Sequence, residues 1–249
     1  MPRPPRLWQY NFSNYNEKAR WALDYKRIAH VRRTVAPVEP RAMAFSLRGT
    51  LPVLDLGGER IADSSGIIDA LERLHPEPAL YPRDPAERER ALALQRDFDD
   101  EVGHAMRRAL FWELRDDRDY MAEFITVGRP ALQRALMKLT FPLGWLYVSR
   151  RYTFAEPEAE RAWGTLEDAL DRIERERGSG EFLVGDSFSV ADLTAASLLW
   201  PLAWPDELQY ELPRPPGIPR LERLQEHPAA AWIGEIWARH RPPSCELPR

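Results

Sequence analysis

Residues 51–74 read LPVLDLGGERIADSSGIIDALERL and predict two strands joined by a tight turn, followed by a helix. Residues 51–56 and 59–62 flank the dipeptide Gly57-Gly58, which is typical of a two-residue hairpin turn. From about Ser65 the apolar residues recur at helical spacing, and they are Ile67, Ile68, Leu71 and Leu74. This stretch therefore predicts a β-hairpin that leads into an amphipathic helix.

The residues before this stretch predict a strand, a helix and a second strand. Residues 6–10 and 31–36 are short strand-like segments, and a helix is expected between them from Asn14 to about residue 28. One face of that helix is apolar and comprises Tyr15, Ala19, Ala22 and Leu23. Strand–helix–strand order favours a parallel pair with a right-handed crossover. With the hairpin and its helix, this is the arrangement of a thioredoxin-like domain.

The residues after the hairpin helix have a different pattern. Residues 75–85 contain four prolines and read as a linker. Beyond them the sequence has helical period in segments near 86–114, 118–151, 156–177, 189–203 and 229–240. We therefore predict an α/β thioredoxin-like N-terminal domain over residues 1–80 and an all-α C-terminal domain over residues 86–249.

Residues 185–193, GDSFSVADL, predict the start of one helix in the second domain. Ser189 is suited to the N-cap position, and Asp192 three residues later can complete a capping box. Phe188 and Leu193 have the spacing of a hydrophobic staple across the same helix start. Because these two devices agree, we assign the segment a structural role and no chemistry.

Composition excludes several functional classes. The 249 residues carry 35 Lys and Arg against 39 Asp and Glu, a net charge of −4 that argues against a dedicated nucleic-acid-binding protein. The single cysteine, Cys245, allows neither an intrachain disulfide nor a cysteine metal cluster, and the five histidines are scattered. No signal-peptide-like apolar stretch follows the basic N-terminal residues, and no uncharged run is long enough for a bilayer. We expect a cytoplasmic protein with no metal, nucleic-acid or membrane partner.

Four segments, in order along nearly the whole chain, resemble one known family. They are residues 13–23 (SNYNEKARWAL), 50–54 (TLPVL), 62–68 (ADSSGII) and 185–192 (GDSFSVAD). Together they resemble the glutathione S-transferase superfamily, of a bacterial type with serine at the active-site position. The resemblance implies a glutathione transferase fold and a cytoplasmic, homodimeric detoxification enzyme. Its co-substrate would be glutathione, whose thiolate attacks a small hydrophobic electrophile.

The resemblance places Ser13 at the position that activates the glutathione thiol. A free thiol has a pKa near 8.5, so a hydroxyl donor at a helix N-terminus can favour the thiolate at neutral pH. The residue types leave alternatives open, because a serine before a helix is most often an N-cap. Asn14 and Glu17 could form the capping box instead and leave the Ser13 hydroxyl free.

Two other donors lie near Ser13 in the sequence. Tyr10 ends the first strand, where some superfamily members use a tyrosine hydroxyl, although it could also be a strand aromatic packed between the domains. Asn16 could donate through its amide. Position 13, where some superfamily members hold a cysteine, is a serine here, and Asn16 stands where a resolving cysteine could sit. Both residues argue against thiol exchange on the protein itself.

The resemblance also implies how the glutathione peptide is held. Leu51 would offer its backbone to the peptide beside a cis Pro52, although a trans proline starting an edge strand is the ordinary alternative. Asp63 would bind the α-ammonium of the γ-glutamyl group, and Ser64 with the first-turn N–H groups would bind its α-carboxylate. The cation for the glycyl carboxylate would be Arg48 or Arg41.

The electrophile pocket and the competing functions are less constrained by the sequence. Phe12, Phe111 and Trp112 are the candidates for an apolar wall, although aromatics at helical spacing more often belong to a core. Glutathione-dependent isomerisation or dehalogenation would use the same thiolate. A non-catalytic binding or interaction protein that keeps the fold is the other alternative, because fold alone does not guarantee activity.

Overall fold

The computed structural model of the protein describes residues 3–35, 50–152 and 154–248. The first elements are β1 (Arg6–Gln9), α1 (Asn14–Tyr25), β2 (Val31–Thr34), β3 (Val53–Leu56), β4 (Glu59–Ala62) and α2 (Ser64–Leu74). The later elements are α3 (Pro85–Asp97), a π-helical turn (Phe98–Val102), α4 (Gly103–Glu113), α5 (Arg118–Ile125), α6 (Ala131–Tyr152), α7 (Glu156–Arg177), α8 (Val190–Leu198), α9 (Trp200–Ala203), α10 (Pro219–Gln225) and α11 (Pro228–His240).

The four strands form one mixed sheet in the order β2-β1-β3-β4. β1 and β2 are parallel and are joined through α1, whereas β3 pairs antiparallel with both β1 and β4. The predicted parallel pair and the predicted hairpin are both confirmed. Gly57 and Gly58 have φ angles of 65° and 96°, the left-handed conformation that a tight hairpin turn requires at both central positions.

Helices account for the second half of the described chain, as the periodicity predicted. The segment expected near 118–151 is divided into α5 and α6 by a connection at residues 126–130, and α10 was not predicted. Within the described residues, no helix is both long and apolar enough to cross a membrane. The architecture is an α/β unit of thioredoxin-like topology followed by an all-helical unit.

Helix α1 lies at the centre of the molecule. Ten of its twelve residues are buried, and it packs against α2 and against α8. The Trp21 ring lies 4.7 Å from Trp237 and 5.9 Å from Phe188, measured between ring centroids. Its indole N–H donates to the carbonyl of His240 at 2.9 Å. The helix that follows the first strand therefore joins the sheet to the C-terminal helices.

The C-terminal residues return to the sheet and lie beside the start of β2. The backbone N–H of Leu247 donates to the carbonyl of His30 at 2.8 Å, and the N–H of His30 donates to the carbonyl of Cys245 at 3.3 Å. His30 and Glu246 form an isolated parallel bridge. The sequence analysis did not anticipate this contact, because a proline-rich tail carries no strand signal.

The predicted capping box at the start of α8 is confirmed. The Ser189 hydroxyl accepts a hydrogen bond from the backbone N–H of Ala191, and the Asp192 carboxylate accepts from the N–H and hydroxyl of Ser189 at 2.9 and 2.8 Å. The same carboxylate also accepts from the N–H of Leu183 at 2.8 Å. Burial raises the pKa of Asp192 to about 6. At neutral pH the carboxylate therefore serves as the acceptor for two separate backbone segments.

Replacing this carboxylate should destabilise the whole C-terminal unit. Asp192→Ala leaves two buried backbone N–H groups without their acceptor, and each unsatisfied group costs about 1–3 kcal/mol. We expect the free energy of unfolding, measured by urea titration, to fall by at least about 2 kcal/mol. Asp186→Ala, at an exposed carboxylate in the same loop, is the matched control and should stay close to wild type. Equal stability of the two variants would contradict this role for Asp192.

Candidate functional site

Ser13 lies in the turn between β1 and α1 and is the N-cap residue of α1 by its backbone. Its φ and ψ angles are −81° and 130°, and its carbonyl accepts from the N–H of Glu17 at 2.9 Å. Its hydroxyl makes no capping hydrogen bond to the helix. The side chain is half-buried at the positive end of the helix dipole. The hydroxyl is therefore placed where a donor to an anion would be favoured.

The capping box predicted between Asn14 and Glu17 is wrong. The Asn14 side-chain oxygen accepts from the N–H of Tyr15 at 2.9 Å, and Asn14 is the first helical residue rather than the cap. The Glu17 carboxylate instead binds the Arg20 guanidinium at 2.7 Å. The local pattern was misleading because a buried arginine competes for the carboxylate more strongly than a single backbone N–H.

Asn16 connects the turn to the loop before β3. Its amide is fully buried, accepts from the N–H of Tyr10 at 3.2 Å and donates to the carbonyl of Leu51 at 3.3 Å. These bonds hold the end of β1 beside the Leu51–Pro52 bond, which is cis as predicted. The structure therefore gives Asn16 a positioning role, whereas the sequence analysis considered it as a donor to the thiol. A second cis bond, before Pro78, was not predicted.

Tyr10 is half-buried and its ring stacks on Phe12, with 5.6 Å between the ring centroids. It also packs beside a small apolar cluster of Val35, Leu51 and Val53. These contacts match the interpretation of Tyr10 as a strand aromatic. A role for its hydroxyl in thiol activation stays a prediction.

Asp63 and Ser64 begin α2 on the other side of the same loop. The N–H of Asp63 donates to the carbonyl of Pro52 at 3.1 Å, so the cis-proline loop and the start of α2 are joined directly. Asp63 is exposed and has a φ angle of 60°, a conformation that costs a non-glycine residue about 1–3 kcal/mol. Its carboxylate caps the helix by accepting from the N–H of Gly66 at 2.6 Å. Ser64 is buried as the first helical residue.

The remaining predicted residues divide into three groups. Phe12 and Phe111 are both linked to Phe124 of α5, with ring centroids 5.4 and 6.3 Å apart, so the three rings line one wall. The Trp112 ring instead lies 4.0 Å below the Arg115 guanidinium. Arg48 and Arg41 lie outside the described residues. Sequence analysis missed Phe124, whose only signal is its helical spacing from Tyr120.

Arg20 holds the turn that carries Ser13, and sequence analysis gave it no role. Its guanidinium is almost fully buried and donates to the carbonyls of Tyr10 and Asn11 at 3.3 and 3.2 Å. It also donates to the side-chain oxygen of Gln9 at 2.9 Å. Three consecutive residues at the end of β1 are thus bound by one side chain from α1.

The partner of Arg20 is the fully buried carboxylate of Glu17. Arg241, from the C-terminal tail, donates to the same carboxylate at 2.8 Å. Burial alone would raise the pKa of Glu17, but the charges of Arg20 and Arg241 outweigh it and hold the pKa at about 2. Arg241 also donates to Asp24 at 3.0 Å, and Asp24 accepts from Arg32 at 2.9 Å. This buried charge network, Glu17, Arg20, Asp24, Arg32 and Arg241, lies directly behind the Ser13 turn.

Two family models match the chain and together cover more than half of it. The model of the glutathione S-transferase N-terminal domain matches residues 7–79, and that of the C-terminal domain matches residues 156–233. A search of curated proteins finds no match.

Several solved structures share the fold. A glutathione S-transferase from Methylobacillus flagellatus KT with glutathione bound is 20% identical, with a TM-score of 0.65 over 94% of this chain and 95% of that one. The beta-etherase LigF from Sphingobium sp. strain SYK-6 is 18% identical, with a TM-score of 0.69 over 95% and 96%. FzlA from C. crescentus is 21% identical, with a TM-score of 0.60 over 95% and 89%. At these identities the similarity shows the fold alone.

The pKa of Glu17 predicts a specific pH dependence of stability. Because the folded-state pKa of about 2 lies below the ordinary value of 4.5, Glu17 contributes stability above pH 4.5 that is lost as the pH falls towards 2. The difference in unfolding free energy between wild type and Glu17→Gln should therefore be on the order of 3 kcal/mol at neutral pH and shrink in that window.

Urea unfolding at a series of pH values measures this difference. Glu59→Gln, on the exposed face of β4, is the control and should follow wild type at every pH. A gap between wild type and Glu17→Gln that stays constant from neutral pH to pH 2 would show that the ionised carboxylate is not the stabilising species.

Proposed function

Because the chain belongs to the glutathione S-transferase superfamily, we propose that it is a glutathione transferase in which Ser13 stabilises the glutathione thiolate for attack on a hydrophobic electrophile. The observation that carries this proposal is the Ser13 hydroxyl, which makes no capping bond although it stands at the start of α1. The buried network behind the turn fixes its position.

The energetics are sufficient for one hydroxyl. Lowering the thiol pKa from about 8.5 by two units requires roughly 2.7 kcal/mol of preferential thiolate stabilisation. A hydrogen bond to a charged acceptor contributes about 1.5–3 kcal/mol. The N-terminus of α1 adds about 0.3–1 kcal/mol, and up to about 2 kcal/mol when the site is partly buried. Ser13 and the helix dipole together meet the requirement without a second side chain.

The peptide part of glutathione would lie along the cis-proline loop. In this proposal the Leu51 backbone pairs with the peptide, and Asp63 and Ser64 bind the γ-glutamyl end. The hydrogen bonds from Asn16 to Leu51 and from Asp63 to Pro52 support it, because they hold both binding segments beside the Ser13 turn. The candidates for the glycyl carboxylate stay Arg48 and Arg41, which lie outside the described residues.

The electrophile would lie against the wall formed by Phe12, Phe111 and Phe124. This wall begins one residue from Ser13 and continues into the helical unit, so it brings an apolar substrate near the thiolate. Holding both reactants in this geometry would supply much of the rate acceleration. Isomerisation or dehalogenation would use the same thiolate, and the substrate alone would distinguish these reactions.

A non-catalytic binding protein of the same fold is the second candidate. The observation that favours it is that two candidate binding groups already have protein partners. The Asn16 amide is committed to Tyr10 and Leu51, and the Asp63 carboxylate caps α2. Such a protein would not need an activated thiolate.

Calorimetric titration of glutathione, with ultraviolet absorbance reporting the bound thiolate, distinguishes the two candidates. Wild type and Ser13→Ala should both bind glutathione, but at neutral pH only wild type should hold it as thiolate. Loss of about 1.5–3 kcal/mol of thiolate stabilisation predicts a transferase rate roughly 10- to 100-fold lower in Ser13→Ala. Ser187→Ala, at an exposed serine, is the control and should behave as wild type.

Each other outcome has a defined meaning. Thiolate retained in Ser13→Ala would overturn the role of Ser13 and transfer it to Tyr10, which Tyr10→Phe would then test. Glutathione binding without thiolate in wild type would favour the non-catalytic protein. No glutathione binding by any variant would contradict the proposed function altogether.

A further inference from the structure

Helix α4 carries two adjacent arginines, Arg107 and Arg108, about one helical turn before Phe111 of the aromatic wall. Residues 103, 107 and 111 are spaced by four and therefore lie along one side of the helix. At the start of that side, the carbonyl of Gly103 accepts a hydrogen bond from the side-chain amide of Asn14 at 3.3 Å. Arg107 thus lies between the contact with the start of α1 and the apolar wall.

A histidine beside the two arginines responds to the local charge. The ring of His104 lies 5.4 Å from the Tyr15 ring, measured between centroids, and its Nδ1 is 3.1 Å from Nη2 of Arg107. Partial burial lowers the pKa of His104, and the charges of both arginines lower it further. Two acidic residues of the π-helical turn raise it, but by less. A positive potential therefore prevails at this end of the wall.

The acidic residues of the π-helical turn do not neutralise this charge. Asp99 is occupied elsewhere, because its carboxylate accepts from the fully buried Nζ of Lys18 at 2.6 Å and from the hydroxyl of Ser65 at 2.5 Å. Asp100 and Glu101 are exposed, where water and salt screen their charges. The arginines consequently keep an excess of positive charge beside an apolar surface.

Arg108 also has a hydrogen-bond donor that its own protein leaves unused. Its side chain is half-buried, and its Nε is buried without a hydrogen-bond partner among the residues that the structure describes. A buried donor without an acceptor is costly, and more so when it is charged. A ligand that brings an acceptor to this position would therefore be favoured.

We propose that Arg107 and Arg108 bind an anionic group of the electrophile, so that the preferred substrate is an aromatic compound carrying a carboxylate. The ring would lie against the wall of Phe12, Phe111 and Phe124, and the carboxylate would accept from the guanidinium groups at the end of that wall. A guanidinium group can bind a carboxylate through two parallel N–H bonds, which adds geometric specificity to affinity. This proposal rests on the proposed function, because it names the class of electrophile for the same site.

Two aryl chlorides that differ by one charge test the proposal, namely 4-chloro-3,5-dinitrobenzoate and its methyl ester. In both reactions the glutathione thiolate forms a C–S bond with the ring carbon, and chloride leaves with the electrons of the C–Cl bond. Each kcat/KM is divided by the uncatalysed rate constant with glutathione, which removes the difference in intrinsic reactivity. Wild type should then prefer the acid by roughly 10-fold or more, because a hydrogen bond to a charged group is strong.

Substitutions of the two arginines should remove this preference. Arg107→Gln and Arg108→Gln should each lower the ratio of acid to ester, and the double variant should bring it close to one. Arg107→Lys keeps the charge but loses the two-bond geometry, so it should keep part of the preference. Arg96→Gln, at an exposed arginine of α3, is the matched control and should keep all of it. Circular dichroism checks that the variants fold alike.

Three results would overturn the proposal. These are a wild type that shows no preference for the acid, a double variant that keeps the preference, and a double variant whose KM for glutathione rises equally with both electrophiles. The third result would assign the arginines to a carboxylate of glutathione instead.

Binding of an unreactive ligand separates this proposal from the proposed function. The compound 3,5-dinitrobenzoate lacks the leaving group, so calorimetry measures its binding without any reaction. Wild type should bind it more tightly than its methyl ester, and the double variant should bind the two alike. That result without any glutathione conjugation would contradict the proposed function and support the anion site. Equal binding of acid and ester by a wild type that conjugates glutathione would overturn the anion site alone.

Discussion

The buried ion pair between Glu17 and Arg20 is the interaction on which the candidate site depends. Removing two charges from water is costly, so such a pair persists where its geometry is good and its remaining donors are satisfied. Here the remaining N–H groups of the Arg20 guanidinium donate to the carbonyls of Tyr10 and Asn11. The ion pair thereby fixes the backbone that leads into Ser13. The Ser13 hydroxyl itself makes no capping hydrogen bond to the helix.

The Glu17 carboxylate also links helix α1 to the C-terminal tail. Arg241 binds Glu17 and Asp24 together, so the C-terminal tail is anchored on α1 and not only on β2. The turn that carries Ser13 is consequently held by residues from both ends of the chain. A substitution in the tail should therefore alter the structure at the start of α1, although the two segments are far apart in sequence.

The proposed functional residues lie partly in regions that the family models match and partly in the stretch between them. The matched N-terminal region holds Ser13, the cis-proline loop and Asp63, which are the proposed glutathione contacts. Residues 80–155 lie between the two matches and contain the helices α3 to α6. They supply Phe111 and Phe124 of the aromatic wall. Part of the proposed electrophile wall thus falls in a stretch that neither family model matches.

The sequence predicted those features that depend on neighbouring residues. The Gly57-Gly58 turn and the Ser189–Asp192 capping box follow from local backbone chemistry, and both are confirmed. The capping box at Asn14 and Glu17 used the same local reasoning and was wrong, because the Glu17 carboxylate binds Arg20 and also Arg241, which lies 224 residues away.

Helical period likewise predicted a helix in the region of α6, but it did not predict that the leucines of this helix are exposed to solvent. An apolar stripe reads the same in sequence whether it faces a core or solvent. Family resemblance gave the cis bond before Pro52, which local sequence left undecided. What the sequence could not supply was the set of contacts between residues distant along the chain.

A crystal structure of the protein with glutathione bound would test the central claim most directly, through the distances from the glutathione sulfur to the candidate donors. If the buried ion pair positions Ser13 to hold the thiolate, the Ser13 Oγ should lie within hydrogen-bond distance of the sulfur, with the Arg20 contacts unchanged. A sulfur bound by the Tyr10 hydroxyl, with the Ser13 hydroxyl turned towards the first turn of α1, would contradict the account.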